Sequence, residues 1–287
     1  MPEPVVAVDT TPPLSAEWYF GFPSSDSLAG FLRPGTGARL IVSAHRGGPA
    51  SGFPENALET IENTLQSGSA FAEVDVRMTR DSALVLLHDE TVDRTTTGSG
   101  RVASTTLSGV RELLLLDPDG AVTPFRVPTL AEALAWSEGR TVLMLDVKSG
   151  VPAVRVVDAI RRARAENRVV VIVYDLRDLV RYHQLAPDIL LSASVQGVEE
   201  LELAMEVGVE LRRVTLFAGV GRFDPSLVRR ARSLGMRVSL GTFGEIDARA
   251  VERGPAVFLD LLVDGIGMIA TDQPALALDA VRRLSPR

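Results

Sequence analysis

Leu40-Ile-Val-Ser-Ala-His45-Arg46-Gly47-Gly48 is a short apolar run that ends in an imidazole, a guanidinium and two glycines. The same form recurs along the chain, as in Val142-Leu-Met-Leu-Asp146-Val-Lys148, where an apolar run again stops at charged side chains. Between such runs lie amphipathic stretches with a helical period. The strand-like runs fall at 40–45, 70–76, 141–147, 169–174, 188–193, 211–217, 236–241 and 265–270. The helical stretches fall near 55–67, 129–138, 151–166, 176–185, 197–207, 225–234, 246–263 and 274–284. Pro54-Glu55, Asp224-Pro225 and Asp272-Gln-Pro274 suit first helical turns. Eight strand–helix repeats predict a TIM (β/α)₈ barrel. A doubly wound open sheet is the alternative, but no Gly-x-Gly-x-x-Gly follows the first strand, and nothing supports a dinucleotide site.

The chain of 287 residues suffices for one large barrel or two small domains. Its 46% apolar and 23% charged residues are an ordinary globular balance. A net charge of −7 argues against nucleic acid and against an anionic membrane patch, since both need clustered cations. The absence of cysteine excludes disulfides, thiolate nucleophiles and thiolate-bound zinc. No run reaches the roughly 18 apolar residues of a membrane span, and Leu113–Leu116 ends in Asp117-Pro-Asp119. Met1 to Thr11 has neither a basic segment nor an apolar core, so the expectation is a cytoplasmic protein, with export as the alternative if a signal has been removed. A homo-oligomer is left open.

Residues 1–38, with several prolines and an aromatic knot at Trp18-Tyr-Phe20-Gly-Phe22-Pro23, are expected to form an arm packed on a barrel of residues 39–287. Residues 84–128 break the alternation. They hold a short strand, the loop Arg94-Thr-Thr-Thr-Gly-Ser-Gly100 and a small helix near 107–116. This is read as a small inserted subdomain after the second barrel strand, over the catalytic face.

On such a barrel the polar residues gather at the C-terminal ends of the strands. His45 and Arg46 end the first; Glu73 and Asp75 end the second, two apart and on one side; Asp146 and Lys148 end the third; Asp272 follows the eighth. Adjacent carboxylates repel unless a cation or proton lies between them. A hard divalent ion, Mg²⁺ or Ca²⁺, explains Glu73 and Asp75, with Asp146 and Glu55 as further ligands. Arg46 and Lys148 supply charge for a phosphate. Lys148 is the one lysine among 30 basic residues, which marks the position as one that needs an ammonium. His45 and His88 divide the proton work, one activating a nucleophile and the other protonating the leaving alkoxide. Asp89 orients His88 or caps the next turn. His183 lies on an outer helix and receives no role.

This pattern resembles the glycerophosphodiester phosphodiesterase family from about Leu40 to Pro274. The resemblance rests on His-Arg-Gly-Gly at 45–48, Pro-Glu-Asn at 54–56, Glu-x-Asp at 73–75, His-Asp at 88–89, Arg-Thr-Thr-Thr-Gly at 94–98, Pro128-Thr-Leu130 and Thr271-Asp-Gln-Pro274. It implies a TIM barrel with an inserted subdomain and divalent-metal-dependent hydrolysis of glycerophosphodiesters to glycerol 3-phosphate and an alcohol. It implies His45 and His88 as acid and base, Arg46 and Lys148 on the phosphate, and Glu73 and Asp75 on the metal, with Glu55 close by. Three positions depart from the family's pattern. Asp146-Val-Lys148 replaces a usual Glu-x-Lys, Val173-Tyr174 replaces Ser-Phe, and Gly241-Thr-Phe243 replaces Trp-Thr. Tyr174 and Phe243 are therefore expected to face the glycerol or the leaving group. Two other readings stand beside this one: a related phosphodiesterase acting on lysophospholipid, some of which form a cyclic phosphate, and a barrel that binds a phosphorylated ligand without turnover.

Overall fold

The computed structural model describes residues 19–35 and 40–284. The described strands are β1 (Ile41–Ala44), β2 (Phe71–Met78), β3 (Leu84–Leu86), β4 (Leu114–Leu116), β5 (Val122–Arg126), β6 (Leu143–Val147), β7 (Val169–Val173), β8 (Leu190–Ser194), β9 (Val214–Val220), β10 (Val238–Gly241) and β11 (Met268–Thr271). β1, β2 and β6 to β11 run parallel in sequence order, and β1 pairs with both β11 and β2, so the sheet closes into an eight-stranded barrel with helices outside. Strands buried on both faces are apolar runs, as in Val169–Val173, because the inward side chains fill the barrel and the outward ones meet helices.

The N-terminal end of the barrel is sealed. The helix Ser25–Leu32 is capped by reciprocal Ser24 and Ser27 hydrogen bonds and buries Leu28 and Leu32 against the inward residues Phe71, Met144, Val170 and Met268. Phe20 stacks edge-on to Phe71 at 5.2 Å, and Arg237 Nε donates to the Leu32 carbonyl at 2.9 Å. Trp18 lies outside the described residues.

After β2 the chain does not enter a helix. It turns back as β3, antiparallel to the end of β2, then forms a short helix at Leu107–Arg111 and the antiparallel pair β4–β5. Val85, Val92, Val102, Val110 and Leu115 give this insertion a small core of its own, shared with Ala57.

Several boundaries differ from the sequence expectation for identifiable reasons. The expected helix 246–263 is two, Glu245–Arg253 and Ala256–Val263, because Gly254 is left-handed at φ 92° and Pro255 offers no N–H. The expected helix near 107–116 stops at Arg111, and Leu114–Leu116 is strand. The sixth barrel strand starts at Val214, after a single turn at Leu211–Arg213. The first strand ends at Ala44, which puts His45 in the turn that follows.

Candidate active site

The turn after β1 sets the site. His45–Gly47 form one tight turn in which Arg46 is left-handed at φ 51°, an uncommon backbone for a residue with a Cβ. It is held there because the Arg46 N–H donates to Glu73 Oε2 at 2.7 Å and its carbonyl accepts from the Asn56 N–H at 2.9 Å. Gly48, at φ 86°, is pressed against the next elements: a Cβ there would lie 2.5 Å from Thr64 Oγ1 and 2.7 Å from Pro274 Cγ. Asn56 clamps β2 from the other side. Its amide donates to Asp75 Oδ2 at 2.7 Å, and its carbonyl oxygen accepts from the Asp75 N–H at 2.8 Å.

β2 and β6 pair in parallel with Asp75 opposite Asp146, so the two carboxylates are direct neighbours on the inner face. Glu73, two residues earlier, joins them. One oxygen of each of these three buried residues lies within 4.8 Å of the others. Lys148 Nζ bridges Asp75 Oδ1 at 2.6 Å and Asp146 Oδ2. Burial, and then the neighbouring Asp75 carboxylate, push the Glu73 carboxyl well above the ordinary range. Burial also works against Asp75, but the Lys148 ammonium and the Asn56 amide outweigh it and hold Asp75 below its usual value. Lys148 is pushed down by burial and up by both aspartates, with a net rise. Three hard oxygen donors, and an Asp146 Oδ1 that is buried without a hydrogen bond, fit a Mg²⁺- or Ca²⁺-like ion, whose charge would offset the repulsion among the three carboxylates.

Glu55, read in the sequence as a further ligand, lies outside this triad. Its carboxylate is taken up by Arg46 Nη1 at 3.0 Å and by Arg94 Nη1 and Nη2 at 2.9 and 2.8 Å. Arg46 Nε is buried without a hydrogen-bond partner, 3.9 Å from Asp75 Oδ2, and is available to an incoming anion. Asp146 reaches the triad despite being one methylene shorter than glutamate.

Each imidazole is held through Nδ1. His45 Nδ1 pairs with Asp272 Oδ1 at 2.7 Å, and His88 Nδ1 pairs with Asp89 Oδ1 at 2.7 Å. Asp89 is in turn gripped by Arg94, whose Nε donates to Oδ2 at 2.6 Å, and this guanidinium holds the Asp89 carboxyl well below the usual range. Phe243 stacks on the His45 ring at 4.6 Å. His45, Tyr174 and Phe243 line a pocket that descends into the barrel past Ile172, Phe217 and Met144. Burial and the nearby Asp146 carboxylate push the Tyr174 hydroxyl far up, so it stays protonated. His183 lies on the outer helix Leu176–Leu185, away from this pocket.

Three contributors carry no role in the sequence reading. Asn56 and Arg94 stand inside quoted motifs, which is their only signal. Asp247, on the helix Glu245–Arg253, is buried and accepts from Thr271 Oγ1 and the Asp272 N–H, both at 2.8 Å, so it fixes the residue that fixes His45. No local pattern marks it.

The sequence model of the glycerophosphoryl diester phosphodiesterase family matches residues 45–275. A glycerophosphodiester phosphodiesterase of Caldanaerobacter subterraneus subsp. tengcongensis is 27% identical over 259 residues, covering 85% of this chain and 99% of that protein. A glycerophosphoryl diester phosphodiesterase of Parabacteroides distasonis superposes with a TM-score of 0.86 at 29% identity, covering 93% of this chain and 95% of that one. The fold is also that of a phosphodiesterase from Oleispira antarctica solved with its product sn-glycerol 3-phosphate, at TM-score 0.67 and 21% identity over 89% of this chain and 99% of that one.

Proposed function

The chain belongs to the glycerophosphoryl diester phosphodiesterase family, and from that premise we propose that it is a metal-dependent hydrolase. Its substrates are glycerophosphodiesters, which it cleaves to glycerol 3-phosphate and an alcohol. The observation that carries this reading is the buried carboxylate triad set beside two imidazoles, each with Nδ1 already occupied by a carboxylate.

That occupation leaves Nε2 of each ring for proton transfer. One imidazole takes a proton from the attacking water as its oxygen bonds to phosphorus; the other delivers a proton to the leaving alkoxide as the P–O bond to the alcohol breaks, which leaves glycerol 3-phosphate. Asp272 and Asp89 fix the tautomer and orientation of the two rings. Arg46, with an unsatisfied buried Nε, and Lys148 supply positive charge for the non-bridging oxygens. Glu73, Asp75 and Asp146 would hold Mg²⁺ or Ca²⁺, which when bound adds charge neutralisation at the phosphate. Tyr174 and Phe243 shape the side of the site nearest His45.

The test is release of glycerol 3-phosphate from glycerophosphocholine after EDTA treatment, with Mg²⁺, Ca²⁺ or Mn²⁺ then restored. Metal-restored release is expected. Absence of release with every metal, from folded protein, would move the reading to another phosphodiester or to ligand binding. The apolar lining of the pocket by Ile172, Phe217 and Met144 favours a second reading, in which a lysophospholipid is cleaved through a cyclic phosphate. Phosphorus NMR of the product separates a cyclic ester from an open monoester.

A further inference from the structure

A second cleft, of about 330 Å³, lies beyond His88 and shares no lining residue with the pocket beside His45. It is walled by the end of β2, by residues of the insertion and by the loop that follows Lys148. Arg77, Arg80, Arg101 and Glu90 are its charged residues, with Ser149 and Gly150 on the far wall. Three guanidiniums therefore face one carboxylate. Glu90 is engaged by Arg101 at 2.7 Å. Arg80 has no side-chain hydrogen bond or ion pair among the described residues, and Arg77 uses only Nε, which donates to the His88 carbonyl at 2.8 Å. The lining of the cleft thus carries net positive charge with guanidinium N–H groups left unpaired, and it abuts the His88 and Lys148 side of the reacting machinery. Arg77 holds the His88 backbone, and Ser149 is the residue after Lys148, whose N–H donates to the Val76 carbonyl at 3.0 Å. In an in-line displacement the attacking and leaving oxygens lie on opposite sides of phosphorus. The pocket at His45 is largely apolar and descends into the barrel, whereas the cleft on the His88 side is lined by charged and polar residues of β2 and the insertion.

Resting on the reading above, we propose that the Arg77–Arg80–Arg101 cleft receives the alcohol side of the diester and selects alcohols that carry a further phosphate or carboxylate. Guanidiniums recognise such groups by charge-assisted hydrogen bonds.

The experiment compares kcat/KM for glycerophosphoinositol 4-phosphate and glycerophosphoinositol, which differ only by the distal phosphate. Arg80 is exposed and its side chain touches no catalytic group, so Arg80→Ala and Arg80→Glu serve as variants. The wild type is expected to favour the phosphorylated ester by about tenfold at low salt, and less at high salt. Arg80→Ala is expected to cut that preference by roughly threefold and Arg80→Glu to abolish it, with the unphosphorylated ester turned over as before. Equal turnover of the two esters by the wild type, or a parallel fall on both in the variants, would overturn the assignment while leaving the hydrolase intact. Turnover of neither ester by protein that cleaves glycerophosphocholine would overturn this assignment alone, whereas failure on all three esters would remove the hydrolase reading and this one with it.

Discussion

The two imidazoles are oriented alike and anchored differently. His45 leans on Asp272, and the Asp272 N–H donates to Asp247, which is 4% exposed and also accepts from the hydroxyl of the fully buried Thr271. That chain of contacts runs through a barrel strand and its packed helix. His88 leans on Asp89, and Asp89 on Arg94, whose side chain is 49% exposed and which crosses from the insertion to Glu55 on the barrel. Behind the Asp272 carboxylate, which is itself 46% exposed, the first side is built from buried hydrogen bonds, where a lost partner leaves a dry polar group at a cost of about 1–3 kcal/mol. The other is built from exposed ion pairs, each with a net value of about 0–1 kcal/mol. Two groups to which we assign matched chemical tasks thus draw on different reserves. The first should fail by unfolding locally, the second by losing alignment.

The comparison breaks outright if either ring is dispensable. His45→Ala and His88→Ala are each expected to lower kcat by about 10²–10⁴-fold in glycerol 3-phosphate release, with melting temperatures close to wild type. Retained turnover in either variant would remove that ring from the mechanism.

Next in size are the anchors. Asp247→Asn puts an N–H where two donors now converge, and is expected to cost about 1–3 kcal/mol and to lower Tm together with kcat. Arg94→Ala is expected to leave stability within about 1 kcal/mol of wild type while kcat falls about tenfold through misalignment of His88. Thermal melts beside initial rates distinguish the two, and equal Tm losses would erase the contrast.

The triad shared by both halves gives a pH-dependent effect. The folded Glu73 carboxyl titrates above its unfolded value, so in metal-free protein its contribution to stability is present at low pH and is lost as pH rises through the raised pKa. On the proposed metal site a divalent ion would compete with protonation of Glu73, and the rise in Tm on adding Mg²⁺ or Ca²⁺ to EDTA-treated protein is expected to grow from acid to mildly alkaline pH. A gain that shrinks with pH would deny Glu73 its place as a ligand. The smallest effect is ionic. Raising salt should slow wild-type turnover modestly through the exposed Arg94 pairs and leave Arg94→Ala less affected.

What was legible in the sequence follows the same division. Apolar runs ending in charge reveal the barrel strands, because strands buried on both faces leave little room for other residues. Glu73, Asp75, Asp146 and Lys148 were legible because two-residue spacing in a strand guarantees a shared face. Glu55 read as a ligand because it adjoins the same motif, yet the fold hands it two guanidiniums. Asp247 looked like any acid in the first turn of a helix, and only the packing of that helix on β11 gives it a task. The Gly254-Pro255 break was written in the residues themselves; the left-handed Arg46 was not, because it is imposed by Glu73 and Asn56 from other elements.

The placement of Lys148 between two aspartates also has an analytical consequence. It carries the chain's one ε-amine, and that amine is mostly buried and held protonated, so acylating reagents find little to react with at neutral pH. A cation on Asp75 and Asp146 would withdraw the charge that protects it and favour the free amine. The molecule therefore carries a built-in chemical reporter: the extent of labelling at one position, read by peptide mass, tracks the electrostatic state of the site, against a background in which the remaining side chains are silent.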